Sequence, residues 1–192
     1  MSKRILVVCG NPKANSFCES LANSYVQQAS QKNEVALVSL SQLQFNPDLN
    51  QGYDQVHTME QDLIDFQASL TWAEHVVIFT PIWWGSIPAK FKGLIDRSLL
   101  PGFAFQYQEG KTMPDQLLVG KTARVIITLD TPPWFYKWVQ GAPAVKELKI
   151  ATLKFCGFQP VKTKLIGPII SSTDTQRAAW TKEVERLGGL GA

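Results

Sequence analysis

Two stretches of the chain carry residues able to hold a ligand. The first is Gly10-Asn11-Pro12-Lys13-Ala14-Asn15-Ser16-Phe17-Cys18, which leaves a short apolar run and enters an amphipathic one. A helix starting there leaves its first amides without internal acceptors and presents the positive pole of its dipole. With Asn and Ser donors beside it, such an end suits a phosphate. The stretch lacks both the G-x-G-x-x-G fingerprint and the lysine-bearing P-loop pattern. It therefore suits a mononucleotide phosphate better than a pyrophosphate or a transferable γ-phosphoryl. The same residues would also make an ordinary N-cap with no ligand. The second stretch is Pro81-Ile82-Trp83-Trp84-Gly85-Ser86-Ile87-Pro88. Indoles combine a large flat face with an N–H that needs a partner. Backbone amides in this turn could meet the polar edge of a flat heteroaromatic ligand while a tryptophan covers its apolar part. A rim of core aromatics or a subunit interface is the competing explanation.

The elements that must position these loops follow from hydrophobic pattern. Residues 5–9, 35–40, 76–80, 123–129 and 161–166 are β-branched or apolar runs, mostly continuous rather than alternating, as in a parallel sheet buried on both faces. Between them lie amphipathic segments. Ser16-x-x-Glu19 reads as a capping box ahead of a stripe of Phe17, Leu21, Tyr25 and Ala29, and Thr173-x-x-Gln176 opens a segment with Trp180, Val184 and Leu187 on one side. Met59, Leu63, Phe66 and Leu70 form another stripe; Pro88 and Pro143 suit first helical positions, and Gly157 a helix stop. Strands alternating with helices predict an α/β fold, a doubly wound open sheet with helices on both faces. Ligands in such sheets bind outside the carboxyl ends of the strands, where strand order reverses, so the loops after the first and third strands are the expected site. Two insertions interrupt the rhythm: a polar connection over 41–58, and an excursion over 101–120 that reads as a small hairpin.

A length of 192 residues fits one domain with no repeat or linker. The net charge of +3 is mild, and no Lys/Arg run marks a nucleic-acid track. The apolar run before Gly10 is too short for a signal peptide, and none reaches membrane-spanning length. Cys9, Cys18 and Cys156 have no metal-like spacing and are odd in number, which points to a reducing, cytoplasmic compartment. His57 and His75, two isolated histidines, make no metal site, and Asp62 and Asp65 read as a solvated helix face. Cys9 should be buried in the first strand; Cys18 stands at a helix N-terminus, where a thiol can be acidified, although packing is its simpler role.

The stretch Pro81-x-x-Trp84-x-x-x-Pro88-Ala89-x-x-Lys92-Gly93-x-x-Asp96-Arg97 resembles the signature of the flavodoxin-like NAD(P)H:quinone oxidoreductases. Asn11-Pro12 with Ser16-Phe17 is similar to that family's phosphate loop, and Gly102-Phe103-Ala104-Phe105 with 117–121 to its excursion. The likeness covers most of residues 3–167. It implies a five-stranded sheet of order 2-1-3-4-5 and noncovalent FMN. The phosphate would meet Asn11, Ser16, Phe17 and Cys18; the ring would lie against Pro81, Ile82, Trp83, Trp84 and Gly85, with Leu129, Asp130 and Thr131 facing it. It further implies a homodimer and ping-pong hydride transfer from NAD(P)H to a quinone-like acceptor, with the flavin performing the redox chemistry.

One departure bears on the substrate pocket. Where mammalian-like members carry a glycine-rich turn followed by Tyr and His, this chain reads Thr128-Leu129-Asp130-Thr131-Pro132-Pro133-Trp134-Phe135-Tyr136. Tyr136 is the candidate catalytic substitute, with a packed rim role as its alternative, and Trp134, Phe135 and Trp138 read as an aromatic lid. Three functions compete: the quinone reductase, a flavin-binding ancillary subunit docked on a membrane potassium efflux system, and an electron-transfer flavodoxin. The mildly basic balance counts against the third.

Overall fold

The computed structural model describes residues 2–50, 52–53 and 58–192. Five strands form one parallel sheet: β1 (Arg4–Cys9), β2 (Glu34–Ser39), β3 (His75–Pro81), β6 (Thr122–Thr128) and β7 (Val161–Ile166), in the order β2-β1-β3-β6-β7. Counted along the sheet's own strands this is 2-1-3-4-5, as expected. Two further strands, β4 (Phe105–Gln106) and β5 (Asp115–Gln116), pair antiparallel as the hairpin anticipated in the excursion.

Alternation along the strands builds two apolar layers. Ile5, Val7, Val77, Phe79 and Ile126 face α1 (Phe17–Ala29) and α6 (Asp174–Gly189), whose Leu21, Tyr25, Val184 and Leu187 are buried there. Leu6, Val8, Val76, Ile78, Val125 and Ile127 face the other way, toward Leu63, Phe66 and Leu70 of α2 (Gln61–Trp72) and Phe91 and Leu94 of α3 (Ala89–Ser98). With both faces covered, the strands need no polar positions, which is why their sequences are continuous apolar runs.

Local details refine the expected boundaries. Pro88 is the N-cap of α3 rather than its first residue. Pro143 does begin a helix, α5 (Pro143–Lys146), which widens into a π-helix over Glu147–Lys154. Residues Pro133–Trp138, read as an aromatic lid, form a short helix, α4. The capping box is complete at Thr173. At Ser16 it is half formed: Ser16 Oγ accepts from Glu19 N at 3.2 Å, but Glu19 Oε2 accepts from Asn15 N, not from Ser16. The described part of the 41–58 connection is held by Arg97. Its guanidinium, almost fully buried, donates to Asn46 O at 2.6 Å and pairs with Glu60 at 2.8 Å. Gly93 admits the chain at Pro47, whose backbone a Cβ at 93 would strike. His57 lies outside the described residues.

Candidate functional site

The strand order reverses between β1 and β3, and the loops leaving these two strands meet there. They enclose a cleft of about 310 Å3 lined by Asn11, Lys13, Asn15, Ser16, Phe17, Cys18, Pro81, Ile82, Trp83, Thr128, Leu129, Asp130 and Ile169. The Gly10 amide donates to Phe79 O at 2.7 Å, tying the first loop to β3. A Cβ at Gly10 would come within 2.9 Å of the Phe91 ring, so only glycine lets the backbone pass here. Asn11, largely buried, accepts from the Lys13 amide at 3.0 Å and folds the loop into an Asx turn. Asn15, at φ 55°, then turns the chain into α1, so that the helix's first amides and Ser16 sit on the cleft wall. Lys13 adds a cation to this end. Together these are the parts of an anion cradle.

Cys18 also lines the cleft, but it is not an acidified thiol. A hydrogen bond with Cys9 and burial push its pKa well up. It packs the floor, as the simpler expectation had it.

The opposite wall holds only part of the expected ring-binding set. Pro81, Ile82 and Trp83 line the cleft; Trp84 and Gly85 do not. Trp83 and Ser86 exchange backbone hydrogen bonds of 2.9 and 3.1 Å, so Trp84 and Gly85 are the two corner residues of a tight turn. Both have positive φ, 50° and 81°, as a type I′ turn requires. That geometry throws the Trp84 indole fully into solvent. On the third side Leu129 and Asp130 line the cleft, whereas Thr131 does not, because the chain has already turned toward α4.

Tyr136 takes the packed position that was the alternative to a catalytic one. Its side chain is wholly buried, and its hydroxyl donates to Gly85 O and accepts from Ala144 N, both at 2.9 Å. Burial raises its pKa, so the phenol stays protonated, and its proton is committed to Gly85. Tyr136 is a positioning residue: it fastens the Trp83–Ser86 turn to the start of α5. Tyr136→Phe leaves Gly85 O and Ala144 N without this partner, and a loss of about 1–3 kcal/mol is expected. Urea unfolding of the two proteins checks this, and an unchanged midpoint would show the bridge to be dispensable.

The flavodoxin-like fold family matches the chain across residues 3–188. The chain belongs to this flavodoxin-like family. A ribosyldihydronicotinamide dehydrogenase (quinone) from Pongo abelii is 27% identical over 219 aligned positions, covering 96% of this chain and 92% of the relative. Among solved structures, a protein of Streptococcus mutans UA159 superposes with a TM-score of 0.85 at 28% identity over 97% of this chain and 98% of that one. An FMN-dependent NADH-azoreductase from Bacillus anthracis, solved with FMN, superposes at 0.76 over 100% of both chains, and its 19% identity speaks to the fold alone. Within this flavodoxin-like chain, four cleft residues stand outside the expected set: Lys13, Asn15, Thr128 and Ile169. The first three lie within motifs visible in the sequence. Ile169 comes from the loop after β7, where its amide donates to Leu129 O at 3.0 Å, and no local pattern marks it.

Proposed function

We propose that this protein is an FMN-dependent oxidoreductase that takes a hydride from NAD(P)H and delivers two electrons to a quinone-like acceptor. The carrying observation is the cleft, in which a polar helix-terminal cradle and a mostly apolar wall share one cavity. Asn11, Ser16 and the amides at Phe17 and Cys18 would hold the phosphate, and Lys13 adds attraction for it. Pro81, Ile82 and Trp83 on one side, and Leu129 with Asp130 on another, would seat the flat ring. When bound, FMN would supply the hydride-accepting ring, and its use by donor and acceptor in turn would give a ping-pong order. The chain's part is to bind and orient.

The names of relatives such as the Pongo abelii dehydrogenase support the quinone and nicotinamide parts of this reading. Exposed Trp84, Trp134 and Trp138, on segments joined through the Tyr136–Gly85 bond, suit burial against a second copy of the chain. A homodimer is therefore part of the proposal, checked by sedimentation of the flavin-loaded protein. Three buried free thiols suit a cytoplasmic setting.

The deciding experiment loads purified protein with FMN, removes the excess, and follows anaerobic NADPH oxidation with and without a benzoquinone. Retained flavin with quinone-dependent turnover is expected. Retained flavin without turnover would leave the site and remove the activity, and no retained flavin would remove both. Ser16→Ala is expected to raise the FMN Kd about tenfold, equivalent to about 1.4 kcal/mol. Ser16→Thr, which keeps the hydroxyl and the cap, should restore most of it.

A further inference from the structure

The other end of the sheet carries a second cavity, of about 160 Å3, lined by Lys3, His75, Thr122, Ala123, Arg124, Pro160, Lys162, Gly191 and Ala192. Strand register brings its polar groups together. His75 stands opposite Thr122, and Arg124 opposite Lys162 on β7. Thr122 and Arg124 are two apart on β6, so all four side chains leave the same face of the sheet, the one covered by α1 and α6. Lys3 enters from the residue before β1.

Three features of this corner are unusual together. First, three cations, Lys3, Arg124 and Lys162, line one cavity, and none of them forms an ion pair among the described residues. Lys3 Nζ is held by a backbone carbonyl, Gly191 O, at 3.0 Å, which leaves its charge unneutralised. Second, among the described residues, three of the four buried side-chain polar atoms that lack a hydrogen-bond partner lie on this face of the sheet: His75 Nε2 and Arg124 Nε at the cavity, and Tyr25 Oη beyond it on α1. Buried polar groups are ordinarily paired, so a cluster of three asks for an explanation. Third, His75 is 6% exposed, and its Nδ1 is engaged by Thr122 Oγ1 at 2.6 Å. Burial first, then Lys3 and Arg124, and after them Lys162, hold its pKa down at about 4, so the imidazole is neutral among cations. Glu183 and Arg186 of α6 also act on Arg124 with opposite signs, and Glu183 is already taken by Lys164 at 2.5 Å.

We infer that this cavity is a binding site for a small multivalent oxyanion of the phosphate class, held by Lys3, Arg124 and Lys162. A guanidinium and two ammonium groups around one cavity complement several oxygens and more than one negative charge, which chloride would not match. β3 runs from His75 at this corner to Pro81 at the cleft, a span of roughly 20 Å, so the two sites are distinct.

His75 is a local reporter. In the purified protein at pH 6, inorganic phosphate is expected to shift the His75 ring resonances saturably, with a midpoint in the millimolar range. Sodium chloride at matched ionic strength should not. Phosphate taken up at Ser16 leaves His75 unmoved, so the readout stands whether or not the flavin proposal holds. Lys162→Gln alters an exposed lysine and should fold normally; it and Arg124→Gln should each raise the midpoint about tenfold, the equivalent of one charge-assisted hydrogen bond. The absence of a saturable shift, or one midpoint shared by the parent and both variants, would overturn the assignment.

Discussion

Gly167→Ala should destabilise the protein by about 2–4 kcal/mol and sharply weaken flavin binding, although the residue lies outside the cleft lining. Gly167 follows β7, and a Cβ there would overlap the carbonyl oxygen of Leu129 and approach Leu129 Cδ2 at 3.2 Å. Its φ is not in the left-handed region, so the obstacle is contact rather than backbone strain. The obstructing atom cannot step aside without loss. Leu129 O accepts from Ile169 N at 3.0 Å, and Leu129 N donates to Ile166 O at 3.0 Å, so the two loops are laced on either side of the clash. Overpacking costs about 1–3 kcal/mol and a broken backbone bond about 1 more. Leu129 and Ile169 both line the cleft, so displacement reaches the ligand site directly. Gly189→Ala is the matched control: nothing lies within 4 Å of its Cβ position at the end of α6, and the change should be neutral or stabilising by up to about 1 kcal/mol. Urea unfolding and FMN titration of both variants check the contrast. Equal behaviour of the two would mean that the β6–β7 lacing yields easily.

The same loop shows what the sequence could and could not reveal. Residues 161–166 match β7, and the other four strands differ from their expected ends by about one residue, because hydrogen-bond pairing with a neighbour sets an end while side-chain type marks only the buried middle. The shape of the first loop was legible because its cues are local: glycine where Phe91 presses on the backbone, Asn11 in an Asx turn, Ser16 as a cap. The place of Trp84 was not legible, because its indole's direction is decided by a backbone turn with Gly85 that points it outward. Sequence alone left Tyr136 open between an acid and a packed rim residue, and only the positions of Gly85 O and Ala144 N reveal its hydroxyl as engaged. Ile169 had no cue at all, since its place depends on where a loop from the far strand returns. The basic corner around His75 was equally hidden: its members are spread over 160 residues and meet only through the register of β3, β6 and β7.

That corner should also govern the acid side of the stability curve. An unfolded His75 titrates near its ordinary 6.5, and the folded one near 4. Between these values the unfolded chain binds a proton that the native state refuses, so native stability falls as pH drops from about 6.5 to about 4 and levels off below. At 1.36 kcal/mol per unit the total is roughly 3 kcal/mol. The carboxylates with lowered pKa, Glu60, Glu74 and Asp115, act on the same sign but start from 4.5 and 3.8, so the window from 4.5 to 6.5 belongs mainly to His75. In phosphate-free buffer, urea midpoints should decline steeply across that window in the parent and much less in His75→Gln. Parallel declines would show that His75 protonates as readily folded as unfolded. Phosphate offers a cross-check through linkage: an anion among Lys3, Arg124 and Lys162 opposes the charges that help to keep His75 neutral, so it should flatten the parent's decline and leave the glutamine variant's slope nearly unchanged.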